Sequence, residues 1–207
     1  RLLRAVPLFK FFGSIQLSRQ VPLVFLGGLD YTVKLKTPER RCYMESVKIG
    51  SVGLGRLGYE HAKNLAASIP GCVLHAICNV DTSRLRAVAE ELGVPHTYPD
   101  FAAMCADPEL DGIVIVSPSF LHVEQIKIAM EHGKHVFCEK PLGTNVAQCK
   151  EAEKVVEAHP ELVFQLGFMR RFDPSYAEAK RRVDAGEIGK VVLVRSCTQD
   201  PRSTIES

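Results

Sequence analysis

No apolar run in the sequence approaches the roughly 18 residues that a membrane-spanning helix needs. The longest, Val21 to Leu29, is short and is broken by Pro22 and by glycines, so a soluble protein is expected. Charge of neither sign dominates: 26 Lys and Arg stand against 24 Asp and Glu, mostly interleaved, for a net charge of +2. Such a balance builds no basic face, which excludes nucleic acid as an expected partner. The seven cysteines, Cys42, Cys72, Cys78, Cys105, Cys138, Cys149 and Cys197, form no C-x-x-C pair. A disulfide framework and a zinc site are therefore not expected; small buried thiols in a reducing, cytoplasmic setting are. Repeats and low-complexity tracts are also lacking, and 207 residues suffice for one full domain and part of another.

Acids are missing from the start of the chain, where Arg1, Arg4, Lys10 and Arg19 precede the first, Asp30. An Arg-rich, acid-poor leader has the look of an organellar transit peptide. Met44 lies just before Glu45-Ser46-Val47, however, and a start there, with non-native residues upstream, is the preferred reading. Residues 1–46 are set aside as an N-terminal extension.

What the sequence does have is Val47-Lys48-Ile49-Gly50-Ser51-Val52-Gly53-Leu54-Gly55-Arg56-Leu57-Gly58. This reads as a strand entering a G-x-G-x-x-G turn and then a helix, the pattern of a dinucleotide site. Gly53 permits the turn, Gly55 lets a pyrophosphate approach the backbone, and Gly58 lets helix and strand pack closely. The unpaired N–H groups of the helix N-terminus are suited to phosphate.

Strand and helix patterns alternate from there. Strands are expected at Val73 to Cys78, around Tyr98, at Gly112 to Val116, at His135 to Cys138 and at Leu162 to Leu166. Between them, Asp81 or Thr82 caps one helix, Phe101 to Cys105 forms a short one, Ser117-Pro118 opens another and Thr144 caps the next. The β-branched run Ile113-Val114-Ile115-Val116 suits a strand buried on both faces. The fold class is α/β: a doubly wound parallel sheet of the Rossmann type over 47–167. Residues 168–207 open an α+β domain that the sequence leaves truncated. There Asp173-Pro174 starts a helix, and Val191 to Val194 begins a strand.

Candidate functional residues gather at the carboxyl ends of the strands. Asn79 stands where an acid would meet the adenosine ribose; NAD is the expected cofactor, with NADP left open because an amide does not repel a 2′-phosphate and Arg84 lies near. Asp81 either meets the ribose or caps the following helix. Ser117 and Ser119 cap a helix or face the cofactor, and His122 is either packed or functional. Lys140, in Cys138-Glu139-Lys140-Pro141, is either one half of a surface ion pair or an ammonium that stabilises a developing alkoxide. Glu139 pairs with it or with the nicotinamide ribose.

On Gly53 to Gly58, Asp111 to Pro118, Gly133 to Pro141 and Gly167-Phe168-Met169-Arg170-Arg171-Phe172-Asp173, the chain resembles the Gfo/Idh/MocA oxidoreductases, and among them the inositol 2-dehydrogenases. The likeness runs from about Val47 to the end. It implies an NAD(P)-dependent enzyme that transfers a hydride between nicotinamide and a cyclic polyol or sugar hydroxyl, myo-inositol foremost, and that forms a homo-oligomer. Lys140 would be the active-site lysine, Leu54, Arg56 and Leu57 would join the three glycines at the cofactor, and Ser117, Pro118 and His122 would lie beside the nicotinamide. Arg171 and Asp173 would stand on the substrate side. The chain departs from the family in two places. Asn79 replaces the usual acid, and no D-x-x-x-H segment follows Asp173. A non-catalytic dinucleotide-binding module, or an inactive portion of such an enzyme, is the alternative.

Overall fold

The computed structural model describes residues 46–199; the leader's runs and Cys42 lie outside them. The chain divides into two compact units between Met169 and Arg170.

In the first unit, β1 (Val47–Val52), β2 (Cys72–Cys78), β3 (His96–Tyr98), β4 (Gly112–Ile115), β5 (His135–Glu139) and β6 (Phe164–Gly167) form one sheet. Every pairing is parallel and the strand order is β3-β2-β1-β4-β5-β6. The helices α1 (Arg56–Ala67), α2 (Thr82–Leu92), α3 (Phe101–Cys105), α4 (His122–Glu131) and α5 (Val146–Glu157) make the crossovers. Successive side chains of a strand point to opposite faces, and both faces here are dry. Val114 and Phe137 join Ala62, Leu65, Leu85 and Val88 of α1 and α2 in one core. Ile113, Ile115, Val136 and Cys138 join Met104, Ile126, Met130 and Ala152 of α3, α4 and α5 in the other. Because β1 leads outward through β2 while β4 leads the opposite way through β5, the chain reverses direction between β1 and β4. That is where open α/β sheets leave a crevice above the strand ends.

The second unit holds α6 (Pro174–Asp184). Its N-cap Asp173 accepts hydrogen bonds from the Ser175 and Tyr176 amides, and Pro174 sits in the first turn. Glu178 bonds Arg181 and Arg182 along the exposed face. The guanidinium of Arg170 lies 5.0 Å from the Tyr176 ring centre.

Four sequence expectations change. Asn145, not Thr144, caps α5, accepting from the Gln148 amide; Thr144 instead donates its amide and hydroxyl to Gln148 Oε1. Ser117 and Ser119 cap nothing: a 3₁₀ turn, Ser119–Leu121, with Pro118 at its cap position, precedes α4. The sixth strand begins at Phe164, where pairing to Val136 starts, because the Val163 amide is taken by His135 Nδ1. Val191 to Val194 form no strand, since no ladder pairs them among the described residues and an extended run needs a partner for its backbone groups. The thiols match expectation: Cys78, Cys105 and Cys138 are free and buried, and burial pushes Cys78 and Cys105 up to about 12.

At the amino edge of the sheet, buried Lys134 donates from Nζ to the carbonyls of Asp107 and Leu110 at 2.7 and 2.9 Å. Burial pushes its pKa below the usual lysine value, and the two bonds tie the entry of β5 to the loop feeding β4. Lys134→Met strands both carbonyls. Urea unfolding is expected to show a loss of about 2 kcal/mol; a change below about 0.5 kcal/mol, the usual scatter for surface substitutions, would contradict the staple.

Candidate functional site

The strand ends at the carboxyl edge meet through backbone, with little side chain between. Gly53 has φ of +88°, and a Cβ placed on it would lie 2.7 Å from the Val116 carbonyl oxygen and 2.8 Å from the Ser117 nitrogen. A Cβ on Gly58 would overlap the Gly53 carbonyl oxygen. Gly55 differs from both: its φ of −66° suits any residue, and a Cβ there would meet nothing within 4 Å. Neither conformation nor packing within the protein requires a glycine at 55, so the free approach to the backbone is the property left for function to use. Gly55 is also the N-cap of α1 and gives it no side-chain cap, whereas Asp81, Asp100 and Asn145 cap α2, α3 and α5. An uncapped helix N-terminus with an open approach fits a pyrophosphate in both shape and charge.

At the end of β2, Asn79 is turned toward the glycine loop. Its Oδ1 accepts from the Leu54 amide at 3.3 Å and its Nδ2 donates to the Asp81 carbonyl at 3.3 Å. Arg84 donates from Nε to the Leu54 carbonyl and lies 5.0 Å over the Tyr59 ring. Asp81 is the helix cap of the two readings offered for it: its carboxylate accepts from the Ser83 hydroxyl and the Ser83 and Arg84 amides. The Ser83 hydroxyl, then the Arg84 amide, hold its carboxyl below the usual range.

Beyond β4, the Ser117 hydroxyl donates to Gln125 Oε1 at 2.5 Å. His122 is packed: 1% exposed, it has Nδ1 2.7 Å from the Pro141 carbonyl oxygen and Nε2 2.9 Å from that of Ser117. Both partners are acceptors, so both contacts are hydrogen bonds only when both ring nitrogens carry protons. The ring thus lies between the β4 loop and the turn after β5.

That turn carries Lys140, which is exposed and has no hydrogen bond or ion pair from its ammonium to the described residues. Glu139 does not pair with it through the side chain. Its Oε1 lies 3.0 Å from Nε2 of buried His61, and its Oε2 accepts from the Lys140 amide at 3.2 Å. The expectation of a surface Glu139–Lys140 ion pair is corrected: α1 brings a histidine to the carboxylate first. His61, Gln125 and Tyr59 escaped the sequence reading. A signal for His61 was present, since it falls on the apolar stripe of α1 beside Ala62 and Leu65. Arg171, exposed, and Asp173, committed to the α6 cap, belong to the second unit. The described residues contain no cluster of three or more metal-ligating side chains and no helix long and apolar enough to cross a membrane.

Residues 47–168 match the family model GFO_IDH_MocA, an oxidoreductase family with an NAD-binding Rossmann fold. The chain belongs to this family. It is 46% identical over 155 residues to the scyllo-inositol 2-dehydrogenase (NAD(+)) of Bacillus subtilis, covering 74% of this chain and 45% of that protein. It is 37% identical over 157 residues to the myo-inositol 2-dehydrogenase of Thermotoga maritima, covering 75% and 46%. Among solved structures, the scyllo-inositol dehydrogenase of Lactobacillus casei with bound NAD(H) and scyllo-inositol superposes with a TM-score of 0.68 at 46% identity, over 70% of this chain and 43% of that one. The chain spans about half the length of the relatives it matches.

Two glycine substitutions separate packing from ligand approach. Gly55→Val is expected to keep the parent's melting temperature and to weaken NADH binding by about tenfold or more, or 1.4 kcal/mol, in a calorimetric titration. Gly58→Val is expected to cost about 3 kcal/mol or more by overpacking. Equal NADH affinity in Gly55→Val and the parent would remove the cofactor from this turn.

Proposed function

We propose that residues 47–167 are the cofactor domain, and 168–207 the start of the substrate domain, of an NAD-dependent inositol dehydrogenase that oxidises a ring hydroxyl of a cyclic polyol, myo-inositol foremost. What carries this reading is the meeting, on one sheet edge, of an open, uncapped glycine turn and an ammonium without a partner among the described residues. The 46% identity to an NAD-dependent scyllo-inositol 2-dehydrogenase supports it.

Each residue has a part. The turn from Gly53 through Leu54, Gly55, Arg56, Leu57 and Gly58 would present backbone N–H groups to the pyrophosphate. Asn79 would border the adenosine ribose, with Asp81 steadying the adjoining helix. Ser117 and Pro118, braced by His122, would bound the nicotinamide, with Glu139 fixing the turn below. Bound NAD would supply the hydride acceptor. Lys140 would donate a hydrogen bond to the substrate oxygen and stabilise negative charge gathering there as the hydride leaves. Arg171 and Asp173 would face the substrate from the second domain, which would also take up the proton. A module that only senses dinucleotide has no use for an unpartnered ammonium at this edge. Free buried thiols support a reducing, cytoplasmic compartment. The exposed apolar run Val192, Leu193 and Val194 supports self-association into a homo-oligomer.

Two outcomes follow. In an enzyme carrying its complete substrate domain, Lys140→Ala is expected to lower kcat by about 100-fold or more, with NADH affinity retained; normal turnover would sink the assigned role. Asn79→Asp keeps the acceptor for the Leu54 amide and adds a charge, so the ratio of NADP to NAD affinity is expected to fall. An unchanged ratio in paired titrations would place the ribose elsewhere.

A further inference from the structure

We propose that His61 is a positioning residue: by holding the Glu139 carboxylate, it fixes the backbone at Lys140 and so aims the ammonium. The inference rests on the reading of Lys140 as the substrate-side cation.

The Lys140 ammonium has no hydrogen bond or ion pair to the described residues. Lys140 follows the last residue of β5, and the lysine side chain carries four rotatable bonds. Its ammonium can be aimed only through its backbone. Past the end of β5, the backbone at Lys140 is held by side chains. On one flank, the Pro141 carbonyl is engaged by His122 at 2.7 Å. On the other, the Lys140 amide donates to Glu139 Oε2 at 3.2 Å. A carboxylate free to rotate would be a poor anchor, but this one is confined. Its side chain is 14% exposed and its other oxygen lies 3.0 Å from His61 Nε2, on a ring only 3% exposed. A Cβ at Gly167 of β6 would come within 3.1 Å of the Glu139 Cδ, so a neighbouring strand closes the remaining side.

His61 itself can hardly move. Its ring lies 5.8 Å from that of Phe137, centre to centre, in the core beneath the sheet edge. Its Nδ1 is buried without a partner. An N–H there would be stranded, so the neutral ring carries its proton on Nε2 and donates it to the carboxylate. Hydrogen bonds to an ionised group in a dry setting are among the stronger ones, which suits this contact to holding a turn in one geometry. No ligand contact is needed of His61: it acts from within the protein.

The test is a cycle of variants in the full-length enzyme, assayed for inositol-dependent NADH formation. His61→Leu is expected to lower kcat by about tenfold, while the dissociation constant for NADH stays within about twofold. In the Lys140→Ala background the same change is expected to cost less than about twofold, because residues that act as one unit are not additive. His61→Gln, which keeps an N–H donor, should recover most of the loss. Should His61→Leu fail to fold, Glu139→Gln serves in its place with the same expected pattern. Independently of activity, amide exchange at Lys140 should accelerate at least about tenfold in His61→Leu and in Glu139→Gln. An equal kcat penalty in both backgrounds, or parental kcat and exchange in His61→Leu, would overturn the proposal. Normal kcat in Lys140→Ala alone would instead overturn the reading of Lys140, and the positioning role with it.

Discussion

The contact on which the site depends is a backbone against a backbone, where Gly58 of α1 sits on the Gly53 carbonyl with no room for a Cβ. It sets the start of α1 close against the end of β1, with no side chain capping the amides of its first turn. The same turn presses Gly53 on the Val116 carbonyl and the Ser117 nitrogen, while the Gly53 amide donates to Cys78 and the Val116 amide to Val52. The ends of β1, β2 and β4 are thereby fixed by peptide groups alone. Side chains join the edge only farther out, where Asn79 accepts from the Leu54 amide and His122 links the Ser117 and Pro141 carbonyls.

The sheet beneath makes this possible. Buried on both faces, its central strands are mostly apolar, with Ser51 of β1 and His75 of β2 the buried polar exceptions within them, and other buried polar groups stand at its two edges. At the amino edge Lys134 satisfies two carbonyls. At the carboxyl edge His61 meets Glu139, His122 links the Ser117 and Pro141 carbonyls, and Ser117 bonds Gln125. Buried hydrogen bonds in a dry setting select one geometry over near alternatives. The two edges use that property differently, one to bind loop to strand and the other to hold the turn that carries Lys140.

Features set by near neighbours were legible before the structure. The G-x-G-x-x-G spacing and the Asp173-Pro174 start of α6 are local, and the continuous apolar runs of β4 and β5 report burial on both faces. Choices between adjacent polar residues were harder. Thr144 and Asn145 both suit a cap, and only the extended backbone of Asn145, φ −153° and ψ 169°, decides between them. Ser117 offered two readings, helix cap or cofactor contact, and the cap gives way because Gln125, in the first turn of α4, accepts from its hydroxyl. Val191 to Val194 has strand composition, and composition does not supply the second strand that a ladder requires.

Long-range pairing explains the remaining gap in the site. His61 and Glu139 are 78 residues apart, and Asn79 reaches the Leu54 amide across 25. No spacing rule joins such positions, because the sheet order that brings α1 over the end of β5 follows from the crossovers on both sides of β1. Only when that order is known does a histidine on the apolar stripe of α1 acquire meaning. It then lies over the end of the strand that carries the lysine, within reach of the one carboxylate on that turn. A buried polar side chain on a helix that flanks a switch point is thus better read against the neighbouring strand ends than against its own sequence neighbours.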